Sequence, residues 1–341
     1  EAMFDNIVKD GYNTVIVQAR PYADSFYYSD IYPTSNYVTG KFGIAAIYDP
    51  FALLVDLAHD KGLEIHAWLN PMRAMTVKEI KDEVWVSVGA GTCWDDFVAH
   101  CVEKEWYGVE NLSLIPGEVG SAAVQNIGAY GVEVKDLLVS LKAINLLTGE
   151  EREFSNAECQ YDYRYSCFKQ PEMKVWAVVE VTFKLSKQPT FNLTYKGLLS
   201  ELGEQPYSLE TIRKAVIDLR ESKLPDYRIL GNAGSFFTNP VVDTAKLNEL
   251  LQQYPDMPHF AFKEGQSKLS GGWLIQMCGW KGRNLGDAAV YEKQALVLIN
   301  KGAATGREVY ELSERIIEDV QQQFGVKLHR EANVIGKSGL Q

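Results

Sequence analysis

The stretch that decides the fold is residues 114–134, LIPGEVGSAAVQNIGAYGVEV. It carries almost no charge and many small residues, namely Gly117, Gly120, Ser121, Ala122, Ala123 and Gly128. Small residues allow backbone N–H groups to come close to a ligand, so the composition fits a phosphate-bearing or flat cofactor. It fits a tight turn between two strands equally well, and composition alone does not choose between them.

The segments on both sides of this stretch predict an α+β fold. Before it, valines alternate as in a half-buried strand at positions 84, 86 and 88, and a Gly89-Ala90-Gly91 turn follows. Apolar residues then repeat at helical spacing at Trp94, Phe97, Val98 and Cys101. Strand-like runs occur at residues 137–147 and 175–185. A dinucleotide-binding GxGxxG motif is disfavoured, because Trp94 stands at the place of the third glycine.

A second unusual stretch is residues 231–240, GNAGSFFTNP. Ser235 lies between small residues and two phenylalanines, which we expect to pack in the core. A serine beside Gly or Asn is often a turn residue that bonds its own backbone. Helices return in this half of the chain, with Ser208 as one cap and Thr305 with Glu308 as a capping box. Apolar residues alternate from 326 to 335, which predicts a last strand with Glu331 on its other face.

The first 74 residues have a different pattern. Residues 14–18, TVIVQ, form a mostly β-branched run, as in a buried strand, and Asp49-Pro50 begins a helix that Gly62 ends before a second strand at 63–68. Such alternation is typical of a parallel sheet or a β/α barrel. Two units of this kind cannot close a barrel.

Composition excludes several classes of partner. The chain has 341 residues with 46% hydrophobic and 23% charged residues, which is typical of a soluble globular protein. A net charge of -11 argues against nucleic acid or an anionic membrane surface as a partner. We find neither a membrane-spanning apolar run nor a signal peptide, and no His or Cys spacing typical of a metal site.

The cysteines predict a reduced, cytoplasmic protein. There are five, an odd number, and no two form a CxxC pair. Two matches to the N-linked glycosylation pattern, at Asn111-Leu112-Ser113 and Asn192-Leu193-Thr194, would then have no meaning. The sequence indicates no oligomeric state.

Residues 75–341 resemble the UDP-N-acetylenolpyruvoylglucosamine reductase family, the flavoenzymes of peptidoglycan synthesis. The matching stretches occur in the family's order: VGAG (88–91), ENLSLIPGEVGSAAVQNIGAYGVE (110–133), YRYSCF (163–168), LTYKGL (193–198), SKLPD (222–226), GNAGSFFTNPVV (231–242), KLSGGWLI (268–275), AAVYEKQALVLIN (288–300) and the strand of Glu331. The LTYKGL stretch resembles the branch of the family that closes a tyrosine loop over its substrate.

Residues 1–74 resemble a different family. VIVQARPYADSFYYS (15–29) and LEIHAWLNPMR (63–73) are similar to the opening of a glycosyl-hydrolase-like β/α barrel, in which His66, Asn70 and Arg73 could line a sugar site. The paired carboxylates of a glycosidase would be expected on later strands, which are not found. The reductase family's first flavin-binding subdomain, with its Asn-Thr-Phe-Gly start and Gly-Gly-Ser-Asn loop, is not found either.

The two resemblances imply an α+β fold with a truncated, vanillyl-alcohol-oxidase-like FAD-binding domain and an α+β substrate domain, preceded by a β/α barrel fragment. The expected segments are the fragment at 1–74, the second half of the FAD-binding subdomain at 75–204, a substrate-binding C-terminal domain at 205–325, and a C-terminal strand at 326–341 that returns to the active site.

The implied reaction is the NADPH- and FAD-dependent reduction of UDP-N-acetylglucosamine enolpyruvate to UDP-N-acetylmuramate, a small nucleotide-sugar. Matching the family's motifs position by position predicts three catalytic residues: Arg164 for the carboxylate, Ser235 as proton donor and Glu331 as a carboxyl that donates to the same carboxylate. The predicted FAD contacts are Gly89, Gly91, Pro116, Gly117, Gly120, Ser121, Val124 and Gly128. The predicted substrate contacts are Tyr130, Tyr195, Lys223, Asn239 and Gln294. Phe260 stands where the family sometimes has a substrate-side tyrosine.

Two other hypotheses stay open at this stage. The chain could be a flavin-free remnant that binds a UDP-sugar through Tyr195, Lys223 and Asn239. It could also be a carbohydrate-active protein of the kind that residues 1–74 resemble.

Overall fold

A computed structural model describes residues 2–9, 14–20, 49–69, 75–204, 206–336 and 339–340. The chain forms two compact units, residues 1–216 and residues 217–341, and the boundary falls inside a helix. The finer boundaries expected at 74/75, 204/205 and 325/326 stay predictions. No helix in the described ranges combines the length and apolar character needed to cross a membrane.

The helices of the described residues are α1 (Ala2–Lys9), α2 (Pro50–Asp60), α3 (Trp94–Glu103), α4 (Val119–Gln125), α5 (Lys196–Leu202), α6 (Leu209–Lys223), α7 (Thr244–Gln253), α8 (Gly271–Met277) and α9 (Gly306–Phe324). The strands are β1 (Thr14–Arg20), β2 (Glu64–Leu69), β3 (Met75–Ile80), β4 (Glu83–Gly89), β5 (Gly128–Ala129), β6 (Val132–Glu133), β7 (Leu138–Asn145), β8 (Glu151–Ser155), β9 (Trp176–Ser186), β10 (Gly231–Ser235), β11 (Val241–Asp243), β12 (His259–Ala261), β13 (Gln266–Leu269), β14 (Asn284–Leu285), β15 (Ala288–Val290), β16 (Val297–Asn300), β17 (Ile335–Gly336) and β18 (Gly339–Leu340).

The main sheet of the first unit is antiparallel, with strand order β3-β4-β9-β7-β8. The alternating valines of β4 are fully buried, as their pattern predicts. On this face α3 contributes Trp94 and Phe97, whose rings lie 5.9 Å and 5.1 Å from the ring of Phe183 on β9. The turn at Thr148-Gly149 leads into β8, a strand that the sequence analysis did not identify. The predicted α+β class is confirmed.

The first 69 residues contain the predicted parallel pair. β1 pairs with β2 in parallel from Thr14 opposite Glu64. Asp49 caps α2, because its Oδ1 accepts from the N–H groups of Phe51 and Ala52, each at 3.0 Å. Of the residues that could line a sugar site, His66 belongs to β2, whereas Asn70 and Arg73 lie outside the described residues.

Besides the short β17-β18 pair, the described part of the second unit has two small antiparallel sheets, β10-β16-β15-β14 and β11-β13-β12, which pack with α7, α8 and α9 around one core. The capping box of α9 is formed as predicted: Thr305 N donates to Glu308 Oε2 at 2.7 Å, and Glu308 N donates to Thr305 Oγ1 at 3.3 Å. Gly325 ends this helix in the left-handed conformation with φ 65°. Phe236 and Phe237 are buried, as expected.

The predicted last strand is only partly formed. Val326 and Leu328 are buried and their neighbours are exposed, so the alternation is real. Residues 326–334 nevertheless belong to no sheet ladder, and the regular backbone pairing is a single antiparallel bridge between Arg330 and Phe237. This segment is therefore extended, and one bridge fixes its register against the strand of Ser235.

Candidate active site

Two glycine-rich loops of the first unit are joined edge to edge. Gly120 N donates to Ala90 O at 2.9 Å, Val119 N to Thr92 O at 2.9 Å, and Trp94 N to Gly117 O at 3.0 Å. A Cβ at Gly120 would lie 2.7 Å from the Cβ of Ala90, so the junction requires glycine. The N–H groups of residues 119 and 120 therefore connect the loops, and these two are used within the junction.

The predicted cofactor contacts fall into two groups by exposure. Three are buried in or beside the junction: Gly89, Gly91 and Gly120. Three others form its exposed surface: Pro116, Gly117 and Ser121. Val124 and Gly128 are half-buried. The exposed group and the half-buried group are the ones whose position would allow direct contact with a cofactor.

Arg164 lies beside this surface in a left-handed conformation, with φ 52°. Its Nη2 donates to the carbonyl oxygen of Gly128 at 2.5 Å. A Cβ at Gly128 would lie 3.0 Å from Arg164 Nη1, so the glycine makes room for the guanidinium. Two residues along, Ser166 Oγ donates to Val124 O at 2.6 Å and ties the same loop to α4. The YRYS motif is thus fixed to the predicted cofactor stretch at two points.

Tyr130 and Tyr195, two predicted substrate contacts, meet each other. Their ring centroids are 5.2 Å apart and the ring planes are at 86°. Tyr130 is half-buried and has φ 48°, while Tyr195 is 40% exposed. The pair presents hydroxyl-bearing rings at the surface of the first unit.

The second unit brings Ser235 and Glu331 to adjacent backbone segments. Ser235 ends β10, opposite Val297 of β16. The next residue, Phe236, accepts a hydrogen bond at its carbonyl from Glu331 N at 2.9 Å. Both side chains are half-buried. Two of the three predicted catalytic residues are therefore neighbours in the second unit, and Arg164 belongs to the first.

Asn239 and Gln294 also converge within the second unit. Asn239 Oδ1 accepts from Gly271 N at 2.9 Å, and a Cβ at Gly272 would lie 3.0 Å from Gln294 Oε1. The two amides thus meet at the Gly271-Gly272 pair that begins α8. Lys223 ends α6 and is exposed, and Phe260 on β12 is 52% exposed.

Comparison with known proteins identifies both parts of the chain. Residues 225–335 match the family model for the C-terminal domain of UDP-N-acetylenolpyruvoylglucosamine reductase, and residues 60–155 match an FAD binding domain. A UDP-N-acetylenolpyruvoylglucosamine reductase of Bacteroides fragilis is 50% identical over 260 residues, which cover 76% of this chain and 78% of that protein. This chain belongs to the UDP-N-acetylenolpyruvoylglucosamine reductase family.

Two further relatives of the same name agree. A UDP-N-acetylenolpyruvoylglucosamine reductase of Porphyromonas gingivalis is 48% identical over 284 residues, covering 83% of each chain. The crystal structure of the reductase from Thermus caldophilus superposes with a TM-score of 0.51 at 24% identity, covering 78% of this chain and 76% of that one. The structural likeness supports the fold, and the sequence likeness shows the family.

The beginning of the chain matches another family model, Glycosyl hydrolase-like 10, over residues 1–94. This confirms the resemblance seen in the sequence. The match overlaps the FAD binding domain, which begins at residue 60. The parallel β1-β2 pair lies within the glycosyl-hydrolase-like match, and the antiparallel sheet of the first unit begins at Met75.

The joined loops fit the cofactor that this reductase family implies. Their exposed surface is made of residues without long side chains, so a flat or phosphate-bearing group can lie against backbone. The half-buried Gly128 accepts from the arginine and precedes Tyr130 by two residues. The joined loops would hold FAD, and Pro116, Gly117 and Ser121 would form the exposed part of the binding surface.

Sequence reasoning missed two residues of this site, Asn111 and Asn192. Asn111 Nδ2 donates to the carbonyls of Tyr130 and Asn192, each at 2.8 Å. Asn111 lies inside the family stretch 110–133, and Asn192 directly precedes LTYKGL (193–198). A polar side chain in or beside a family motif is the signal that the sequence offers for them. Their hydrogen bonds cannot be predicted, because these bonds join segments far apart in sequence.

Proposed function

We propose that this protein catalyses the NADPH- and FAD-dependent reduction of UDP-N-acetylglucosamine enolpyruvate to UDP-N-acetylmuramate, in the cytoplasm, as a step of peptidoglycan synthesis. The observation that carries the proposal is the 50% identity to the reductase of Bacteroides fragilis across both the FAD-binding and the C-terminal parts. Within that match, the backbone pairing beside Ser235 and Glu331 gives the motif residues a shared location in the second unit.

When bound, FAD supplies the hydride that the enolpyruvyl methylene carbon accepts, and NADPH is the source of that hydride. Negative charge then develops on the neighbouring carbon and its carboxylate. We assign Arg164 to this carboxylate, because a planar fork of donors binds a carboxylate more strongly as its charge grows. The fork is held at the Gly128 carbonyl, beside the surface that would hold the cofactor.

Ser235 is the proposed proton donor to the carbon that bears the carboxylate and on which the negative charge develops. A hydroxyl is a weak acid, but a carbanion-like centre is a strong base, so a well-placed hydroxyl can protonate it. Gly234, with φ 68°, allows the turn that precedes this serine. We assign Glu331, on the adjacent segment, to hydrogen bonding with the substrate carboxylate.

The remaining contacts are assigned to the nucleotide-sugar. Asn239 and Gln294, which meet at the start of α8, would bind it through their amides. Tyr195 and Lys223 would bind the diphosphate, Tyr195 by its hydroxyl and Lys223 by its charge. Phe260 has no hydroxyl, so the contact that a tyrosine makes in some relatives is not expected here.

Colour and substrate-dependent NADPH oxidation test this proposal. The purified chain is expected to be yellow, with a flavin absorbance band. NADPH should be consumed when UDP-N-acetylglucosamine enolpyruvate is added, and not when UDP-N-acetylglucosamine replaces it. A colourless protein that ignores added FAD but binds the UDP-sugar would contradict the reductase and favour the flavin-free alternative.

A further inference from the structure

Asn111 is a fully buried amide of the first unit, bonded to the backbone of Tyr130. It lies in a short helical turn, Glu110–Leu112, and is 0% exposed. Its Nδ2 donates to Tyr130 O and to Asn192 O, each at 2.8 Å. Among the described residues its Oδ1 is buried and accepts no hydrogen bond. Both donors of the amide are therefore used to join two chain segments that are otherwise remote in sequence.

Asn192 forms the other half of this junction. Its Nδ2 donates to Gly131 O at 2.9 Å, and its Oδ1 accepts from Thr194 Oγ1 at 2.7 Å. Gly131 has φ +87°, and a Cβ there would lie 2.6 Å from Thr194 Oγ1, so the two segments cross with no room for a side chain. Together, the two asparagines fasten residues 130–131 to residues 192–194.

The 190–194 segment lies along an open groove, with Phe191 and Leu193 half-buried. Residues 190–194 form one side of this open groove of about 500 Å³, and Gly108, Glu110, Val132 and Leu137 line the rest of it. Phe191 contacts Tyr107, with ring centroids 5.6 Å apart. The hydrogen bonds of Asn111 and Asn192 add to these contacts in fixing the position of the segment. The junction directly precedes Tyr195, whose ring meets Tyr130.

We propose that Asn111 is a positioning residue that sets the Tyr130–Tyr195 pair against the nucleotide-sugar by joining their two backbone segments. The inference rests on the proposed function, because it assigns those tyrosines to that substrate. Asn111 touches neither substrate nor cofactor in this proposal. Its effect is on the affinity for the UDP-sugar and passes through Tyr195.

Two variants are decisive. Asn111→Asp puts carboxylate oxygens opposite two carbonyls. Asn111→Leu removes both the Nδ2 donors and the Oδ1 acceptor that has no hydrogen-bond partner among the described residues. Both should raise the KM for UDP-N-acetylglucosamine enolpyruvate and its calorimetric Kd by roughly 10- to 100-fold, the loss expected for two hydrogen bonds. The rate of flavin reduction by NADPH should not change. Asn192→Ala tests the same junction at a less buried position and should act in the same direction.

Asn156→Asp is the matched control. Asn156 Nδ2 also donates to two main-chain carbonyls, those of Lys135 and Leu138, at 2.8 Å and 2.7 Å. It belongs to the same unit but does not join the tyrosine segments. The KM of the Asn156→Asp variant should stay at the parent value. A rise equal to that of Asn111→Asp would show that the loss of any amide that bonds two carbonyls has this effect, and it would overturn the proposal.

A double-mutant cycle with Tyr195→Ala tests the route of the effect. If Asn111 acts through Tyr195, Asn111→Leu should change KM little in the Tyr195→Ala background. An undiminished KM change there, an unchanged KM in the single variants, or an equal loss of flavin reduction by NADPH would each overturn the proposal.

Hydrogen exchange separates failure of this inference from failure of the proposed function. In the full-length Asn111→Leu variant, amide exchange at residues 190–195 should be faster than in the parent, whatever the catalytic activity. In the Asn156→Asp variant, exchange at these residues should be the same as in the parent. If the parent shows no reductase activity but this exchange pattern holds, the proposed function fails and the junction stands. Unchanged exchange at residues 190–195 overturns the junction, even in an active reductase.

Discussion

At the scale of single residues, Arg164 shows what the sequence could and could not predict. The YRYS motif gave its position and its expected charge chemistry. The left-handed φ of 52° and the bond to the Gly128 carbonyl could not be predicted, because they depend on a loop 36 residues earlier. Asn111 was missed for the same reason, since its two acceptors lie 19 and 81 residues away.

Arg164→Lys tests the arginine's assigned role. Lysine keeps the charge but loses the planar fork that suits a carboxylate, so kcat/KM should fall by about 10²- to 10³-fold. Flavin reduction by NADPH should proceed at the parent rate. Arg152→Lys is the control, because Arg152 is exposed and pairs with Glu158 at 2.8 Å, and it should leave kcat/KM unchanged. Equal effects of the two variants would argue against a special role for Arg164.

The burial of Glu110 predicts how the stability of the fold depends on pH. This residue is 2% exposed, and burial raises the pKa of its carboxyl above the usual 4.5, partly offset by a hydrogen bond from Gly108 N at 2.7 Å. The folded state then keeps a proton that the unfolded chain releases, so stability falls as pH rises from the unfolded pKa toward the folded pKa. Glu110→Gln removes this titration. It should be more stable than the parent at pH 8, and the difference should shrink toward pH 4.5.

Denaturation of both proteins across this pH range checks the sign. Glu158→Gln is a control in which the pKa shift has the opposite sign, because hydrogen bonds from Ser155 lower the pKa of Glu158 to about 2. A lowered pKa stabilises the fold above the unfolded pKa and loses that contribution as pH falls. A Glu110→Gln variant that is less stable than the parent at pH 8 would contradict the assignment.

At the scale of helices and strands, the sequence predicted the helix ends correctly, but it did not predict how the strands pair. The caps at Asp49 and Thr305 depend on neighbours within one turn, and both are confirmed. The short strand β8 and the single bridge of the 326–334 segment depend on partners far along the chain. Alternation in that last segment showed which side chains are buried, but not whether its backbone forms a ladder.

Gly120→Ala tests the junction between the glycine loops. The added Cβ would meet Ala90 at 2.7 Å, so the loops must move apart at a cost of about 1–3 kcal/mol in the free energy of unfolding. FAD should bind more weakly as a consequence, which a flavin fluorescence titration measures. Gly306→Ala is the control, because a Cβ at Gly306 meets nothing within 4 Å. A Gly120→Ala protein with parental stability and FAD affinity would show that the junction is not required.

At the scale of the whole molecule, the chain combines two kinds of sequence. Residues 1–94 match a glycosyl-hydrolase-like model, and the reductase relatives account for about three quarters of the chain. The α+β class followed from local periodicity, and the family followed from motifs in order. The division into units at residues 216 and 217 falls inside α6, where helical periodicity continues without interruption and no sequence signal marks a boundary.

The central claim is that Ser235 delivers the proton in a reduction that this chain carries out. The most direct test follows the two half-reactions separately in Ser235→Ala by anaerobic stopped-flow absorbance. NADPH should reduce the bound flavin at the parent rate, and UDP-N-acetylglucosamine enolpyruvate should reoxidise it about 10²- to 10⁴-fold more slowly. Ser155→Ala, at an exposed serine of β8, should leave both rates unchanged. Equal slowing of both half-reactions, or undiminished reoxidation in Ser235→Ala, would contradict the account.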